Sequence, residues 1–177
     1  MTSCPNLTIL FLASIRSQKM YRLNVNHLDL MSNIRHLSAH IPDCTIADRP
    51  ASEQLAHVQN LTQLERLVID SIIYSETTVE QLIDNIKELK QLKSLKLYTN
   101  CETPLDRAFL TLATDVNTIE ELYLKVNCIT MTTIEALSYC PNLRVFDFGL
   151  WKPFETGCLT LSLECLQYCP RLQVLDK

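Results

Sequence analysis

Residues Tyr139–Phe148 read YCPNLRVFDF. Near the C-terminus Tyr168–Asp176 reads YCPRLQVLD, and near the N-terminus Ser3–Leu12 reads SCPNLTILFL. Each carries a Cys-Pro pair, a leucine two residues after the proline, and a further apolar residue three positions beyond that leucine. One pattern repeated at well-separated points indicates a chain assembled from copies of one unit. With that leucine as anchor, L-x-x-L-x-L and its apolar variants recur along the whole chain. The sets are Leu7/Leu10/Leu12, Ile34/Leu37/Ala39, Leu64/Leu67/Ile69, Leu92/Leu95/Leu97, Ile119/Leu122/Leu124 and Leu143/Phe146/Phe148, and Leu172/Leu175 begins a seventh. The intervals between successive anchors are 27, 30, 28, 27, 24 and 29 residues.

The segments between anchors supply a second element. In TTVEQLIDNIKEL (Thr77–Leu89), Val79, Leu82, Ile83, Ile86 and Leu89 share one face at helical spacing. Thr77 or Thr78 suits the N-cap there, and Glu80 and Glu88 fall on the outside. Asp106–Val116 repeats the pattern through Phe109, Leu112, Ala113 and Val116, Thr132–Tyr139 through Ile134 and Leu137, and Leu159–Tyr168 through Leu163 and Leu166. Ala51–Leu61 and Met20–Asn33 fit less regularly. Each unit therefore reads as strand, loop, helix, loop. Strands joined by crossover helices run parallel, and stacking joins apolar faces that no unit buries alone. The Cys-Pro pair marks the end of a helix and the approach to the next strand: proline stops the helix, and cysteine packs as a small apolar residue.

Composition agrees with one globular domain spanning residues 1–177. The chain is 47% hydrophobic and 20% charged, with a net charge of −4 that predicts no nucleic-acid partner. No apolar run reaches the roughly 20 residues of a membrane helix. The run Leu7–Ile15 lacks a preceding basic residue and fits the repeat register better than a signal peptide. The eight cysteines read as reduced, buried thiols of a cytoplasmic or nuclear protein. The two glycines leave few turns that need positive φ.

Glu121–Thr130, ELYLKVNCIT, resembles the cysteine-containing leucine-rich repeat L-x-L-x-x-N/C-x-I-T, and YCPNL (Tyr139–Leu143) resembles the C-P-x-L junction between such repeats. A period near 27 also lies within the range of about 20–29 residues for leucine-rich repeats. The resemblance is to the F-box and ribonuclease-inhibitor-like horseshoe families, sharpest over 119–176 and weakest over 16–51. It implies an α/β solenoid with parallel strands on the concave face, helices on the convex face, and about six full repeats plus a truncated seventh. It implies a protein-interaction module like the substrate-recognition repeats of an F-box ubiquitin-ligase subunit, or else a ubiquitin-independent scaffold. No F-box-like helical motif precedes the first repeat, so contact with cullin-RING components is expected only through an F-box outside this chain. The units at both ends suggest a fragment of a longer protein.

Residues alternating with the buried leucines face outward. The expected face comprises Ile9, Phe11 and Ala13; His36, Ser38 and His40; Arg66, Val68 and Asp70; Ser94, Lys96 and Tyr98; Glu121, Tyr123 and Lys125; Val145, Asp147 and Gly149; and Val174 and Asp176. Towards its centre, Arg66, Val68, Lys96, Tyr98, Glu121, Tyr123, Lys125 and Asp147 are the partner-binding candidates. The patch of Arg66, Lys96, Tyr98, Tyr123 and Lys125 mixes aromatics with cations, which suits an acidic or mixed-polarity partner segment. Tyr and Arg favour binding hot spots, although the same residues also suit an ordinary solvated face. A protein or peptide partner fits such a surface better than a small molecule does. In LWKPF (Leu150–Phe154), Trp151 either anchors a partner or, the preferred reading, folds back with Phe154 over the core. His36 and His40 lack further assignable ligands, so no metal is expected. Phosphate-cradling, hydrolase and zinc-protease motifs are absent from the sequence. No cofactor and no enzymatic activity are expected.

Overall fold

The computed structural model describes residues 6–12, 32–41, 58–71, 76–101, 103–150, 169 and 171–176. The helix expected over 159–168, the LWKPF loop beyond Leu150, and Cys4, Cys44, Cys158 and Cys165 lie outside these residues. So does the segment 20–33, apart from Ser32 and Asn33, which form a turn. The strands are β1 (Ile9–Leu12), β2 (His36–Ile41), β3 (Arg66–Ser71), β4 (Ser94–Tyr98), β5 (Glu121–Val126), β6 (Val145–Leu150) and β7 (Val174–Asp176). They form one all-parallel sheet in sequence order, β1 through β7. The described α-helices are α1 (Glu76–Ile86), α2 (Asp106–Asp115) and α3 (Met131–Leu137), and a short 3-10 turn covers Val58–Asn60.

The register keeps equivalent residues abreast. Leu37, Leu67, Leu95, Leu122 and Phe146 form one row across five strands, and Ala39, Ile69, Leu97, Leu124 and Phe148 the next. All ten are buried, and all but Ala39 belong to one cluster with the inward faces of the helices. Val79, Leu82, Ile83 and Ile86 come from α1, Phe109 and Leu112 from α2, and Ile134 and Leu137 from α3. Full burial of each such side chain stabilises by about 1.5–3 kcal/mol. The Phe146 and Phe148 rings stack with centroids 5.4 Å apart. Helices thus cover one face of the sheet. Parallel sheets are ordinarily covered on both; among the described residues the three α-helices all pack on the same one.

The approach to each strand repeats one turn. Leu64, Leu92, Ile119, Leu143 and Leu172 each donate a backbone hydrogen bond to the residue three positions earlier, at 2.9–3.3 Å. Those acceptors are Leu61, Leu89, Val116, Cys140 and Cys169, all buried. The cysteine of the Cys-Pro pair therefore occupies the same apolar position as Leu61, Leu89 and Val116. The proline acts differently from the expectation. Helix α3 ends at Leu137, so Pro141 does not terminate it. Pro141 stands second in the turn, where its fixed φ is pre-set for the geometry.

Helix starts also depart in detail. Helix α1 begins at Glu76, so Thr77 and Thr78 lie inside its first turn and neither is the cap. Helix α3 is capped by Thr130, whose hydroxyl accepts from the Thr133 amide at 3.2 Å. The Asp106 carboxylate, in the first turn of α2, accepts from the Thr130 and Thr133 hydroxyls and ties the two helix starts together. The four described cysteines, Cys101, Cys128, Cys140 and Cys169, are unbridged.

Candidate functional site

Strand alternation turns one residue in two away from the helices. All eight residues expected at the centre of the outward face share that face on β3–β6, and all are half-buried. They stand in three rows. The first runs Arg66, Ser94, Glu121, Val145; the second Val68, Lys96, Tyr123, Asp147; the third Asp70, Tyr98, Lys125, Gly149. With strands about 4.8 Å apart, neighbours within a row stand side by side. The Lys96 ammonium lies 4.0 Å from the centroid of the Tyr123 ring.

Burial pushes the Tyr123 phenol above its ordinary pKa, and Glu121, Asp147 and Tyr98 push it the same way against an opposing Arg66. Tyr123 is therefore a neutral hydrogen-bonding phenol on a surface with charges of both signs. Ser94 departs from expectation. It is only 6% exposed, and its hydroxyl has no hydrogen-bond partner among the described residues. A short side chain between the longer Arg66 and Glu121 in one row is shielded by its neighbours. An added Cβ at Gly149 would meet Lys125 Cγ at 3.9 Å, an ordinary van der Waals contact.

The face is indented. A depression of about 340 Å³ spans β1–β4, lined by Phe11, His36, Ser38, Arg66, Val68, Lys96 and Tyr98 over Leu37. Phe11 is 75% exposed and forms one bank. Facing outward was predicted for it, but membership of the site was not. The signal lay in residue size, because Ser38 and Val68 are short between Phe11 and Lys96.

A second pattern was also missed. Arg35, Glu65, Lys93, Glu120 and Arg144 each follow an anchor, and their charges alternate. Arg35 pairs with Glu65 at 3.2 Å, and Glu120 lies 3.9 Å from Lys93 and 3.6 Å from Arg144. Their carbonyls each accept two successive amides of the next unit, so Arg35 O receives Glu65 N and Arg66 N, and Glu120 O receives Arg144 N and Val145 N. Charge and backbone together fix the register along this edge.

Among the described residues, no three of His, Cys, Asp or Glu gather as a metal-binding set, and no helix is long and apolar enough to cross a membrane. What the face offers chemically is fixed hydrogen-bonding, charged and aromatic groups on a rigid sheet. No protein-family model matches the chain, and no curated protein matches it.

Proposed function

We propose that the chain is a leucine-rich-repeat solenoid serving as a protein-interaction module, with the sheet face turned away from the described helices as its recognition surface. The observation that carries this is the constant register from β2 to β6, which sets one strand per unit and aligns Arg66, Lys96, Tyr98, Glu121, Tyr123, Lys125 and Asp147 on one side. A rigid array of this kind loses little ordering entropy on association. Its half-buried tyrosines are the residue type enriched at binding hot spots.

The resemblance carried by ELYLKVNCIT and YCPNL extends the proposal to the substrate-recognition repeats of F-box ubiquitin-ligase subunits, and to a cytoplasmic or nuclear protein with reduced thiols. The role is binding without catalysis or cofactor. Affinity capture from a cell extract with the full chain tests both levels. Partners lost on Tyr98→Ala/Tyr123→Ala, with an unchanged circular dichroism spectrum, are the expected result. Undiminished capture by that variant would remove the sheet face from the proposal. Recovery of such partners without cullin-RING components, even from a longer chain carrying any upstream sequence, would replace the ligase role with a ubiquitin-independent scaffold.

A further inference from the structure

The depression over β1–β4 originates in side-chain size. Its middle row reads Phe11, Ser38, Val68, Lys96, a long residue, two short ones and a long one. Ser38 and Val68 form a floor above Leu37, with Phe11 on one bank and Lys96 and Tyr98 on the other. Arg66 and His36, abreast in the preceding row, flank it on the side of the strand starts. A volume of about 340 Å³ is at the small end for ligand sites and suits a few side chains of a peptide.

The charges at this groove are one-sided. Arg66 and Lys96 are its charged lining residues, and among the described residues no carboxylate lines it. Along the neighbouring edge, by contrast, Arg35, Lys93 and Arg144 each stand beside a glutamate. Among the described residues neither Arg66 nor Lys96 makes an ion pair. Lys96 packs on the Tyr123 ring, and Arg66 is felt electrostatically at the same phenol. Two cations with no ion pair among the described residues, beside a floor of Ser38 and Val68, form a local positive site that draws in negative groups.

Spacing narrows the occupant further. Arg66 and Lys96 stand on adjacent strands two residues apart in register, since Arg66 aligns with Ser94 and Val68 with Lys96. Their Cα atoms are therefore roughly 8 Å apart, close to the roughly 6.6–7 Å between i and i+2 side chains of an extended chain. We propose that the groove takes an extended acidic segment of a partner protein. Carboxylates at i and i+2 meet Arg66 and Lys96, and a flanking aliphatic or aromatic side chain lies on Ser38 and Val68 against Phe11. The proposal rests on the sheet face being the recognition surface, and it names the chemistry that surface selects.

A random-peptide phage library selected against the full chain tests it, with affinities of the synthesised winners measured by fluorescence anisotropy. Enriched peptides should carry an acid-x-acid element beside Leu, Ile, Phe or Trp, and should bind more weakly as salt is raised. Arg66→Glu/Lys96→Glu should weaken them by about tenfold or more. Ser38→Trp, which fills the floor and leaves the charge unchanged, should weaken them comparably. Circular dichroism of both variants confirms folding, and either one alone keeps the test decisive. Neutral or basic winners that lose affinity on Tyr98→Ala/Tyr123→Ala would overturn the acidic assignment and leave the recognition face standing. Winners indifferent to every substitution on the face would overturn both. Failure to enrich any peptide, or displacement of the winners by oligo(dT) acting through the same residues, would also overturn the acidic-peptide assignment.

Discussion

Lys96 and Tyr123 are register partners on adjacent strands, and the lysine ammonium lies 4.0 Å from the centre of the tyrosine ring. The ring holds a flexible cation in place at the middle of the face. An exposed cation–π contact contributes about 0.5–1 kcal/mol, enough to bias a rotamer but not to hold a fold. Lys96→Met should therefore leave thermal stability within about 1 kcal/mol of the parent. A larger loss in urea melts would mean that Lys96 serves the core as well as the surface.

The Tyr123 phenol gives a second readout of the same patch. Burial raises its pKa first, then Glu121, with Arg66 opposing. Removing the opposing charge in Arg66→Gln should move its titration further up, and Glu121→Gln should move it down. Phenolate absorbance during an alkaline titration, with Tyr123→Phe to identify the signal, measures both. A folded-state pKa above the unfolded one gives stability that is complete below the ordinary value of 10.0 and is lost as pH rises through the raised one. Movement of the two variants in the same direction would contradict the assigned charges.

Glu120 sits between Lys93 and Arg144 on the edge where the charges alternate. Exposed pairs contribute about 0.2–1 kcal/mol each. Glu120→Gln should cost about 0.5 kcal/mol, and Glu120→Lys, which replaces two attractions with two repulsions, about 1 kcal/mol or more at low ionic strength. Most of the difference between the two variants should vanish near 1 M salt, where the Debye length is about 3 Å. A salt-independent penalty would assign the cost to the backbone ladder instead.

Much of this molecule was legible because burial has a period. The residues at 37, 67, 95, 122 and 146 were predicted to line up from spacing alone, and they do. The same spacing assigned the outward residues, including all eight at the centre. Size and partnership were less visible. Ser94 counts as outward by alternation, yet longer neighbours bury it. Phe11 seemed ordinary until Ser38 and Val68 fell between it and Lys96. Pro141 looked like a helix stop because its position relative to Leu137 depends on where α3 ends. The alternating charges of Arg35, Glu65, Lys93, Glu120 and Arg144 were readable once each was counted from its anchor. Hydrogen bonds such as those of Asp106 to Thr130 and Thr133 join residues 24 and 27 positions apart, and no local pattern announces them.

That bridge is testable. Thr133 is buried, and its hydroxyl donates to Asp106 Oδ1 at 2.5 Å. Thr133→Val keeps the shape and deletes the donor. Hydrogen bonds to charged groups contribute about 1.5–3 kcal/mol. The Thr130 hydroxyl still satisfies part of the carboxylate, so a loss of about 1–2 kcal/mol in urea melts is expected. Asp106→Leu/Thr133→Val should cost less than the sum of the two single changes, because each single change already breaks the same Thr133–Asp106 bond. Strict additivity would show that the two side chains act independently.

Cys140 links the Cys-Pro motif to a pH limit on stability. Its thiol is 1% exposed in the turn before β6. Burial, with a smaller contribution from Cys169, pushes its pKa from 9.0 up to about 12. The folded state therefore holds this proton more tightly than the unfolded chain. The resulting stability is complete below pH 9.0 and is lost as pH rises toward about 12. Within that window one proton changes stability by about 1.4 kcal/mol per pH unit, up to about 4 kcal/mol in all, a large part of the roughly 5–15 kcal/mol of a typical domain. Cys140→Ala should cost about 1–2 kcal/mol at neutral pH through lost packing and then decline less steeply with alkali than the parent. The two stability curves should converge above pH 9.0. Urea melts at a series of pH values give both slopes. Parallel curves would mean that the Cys140 thiolate reaches water without unfolding, and the buried junction inferred from YCPNL would be open.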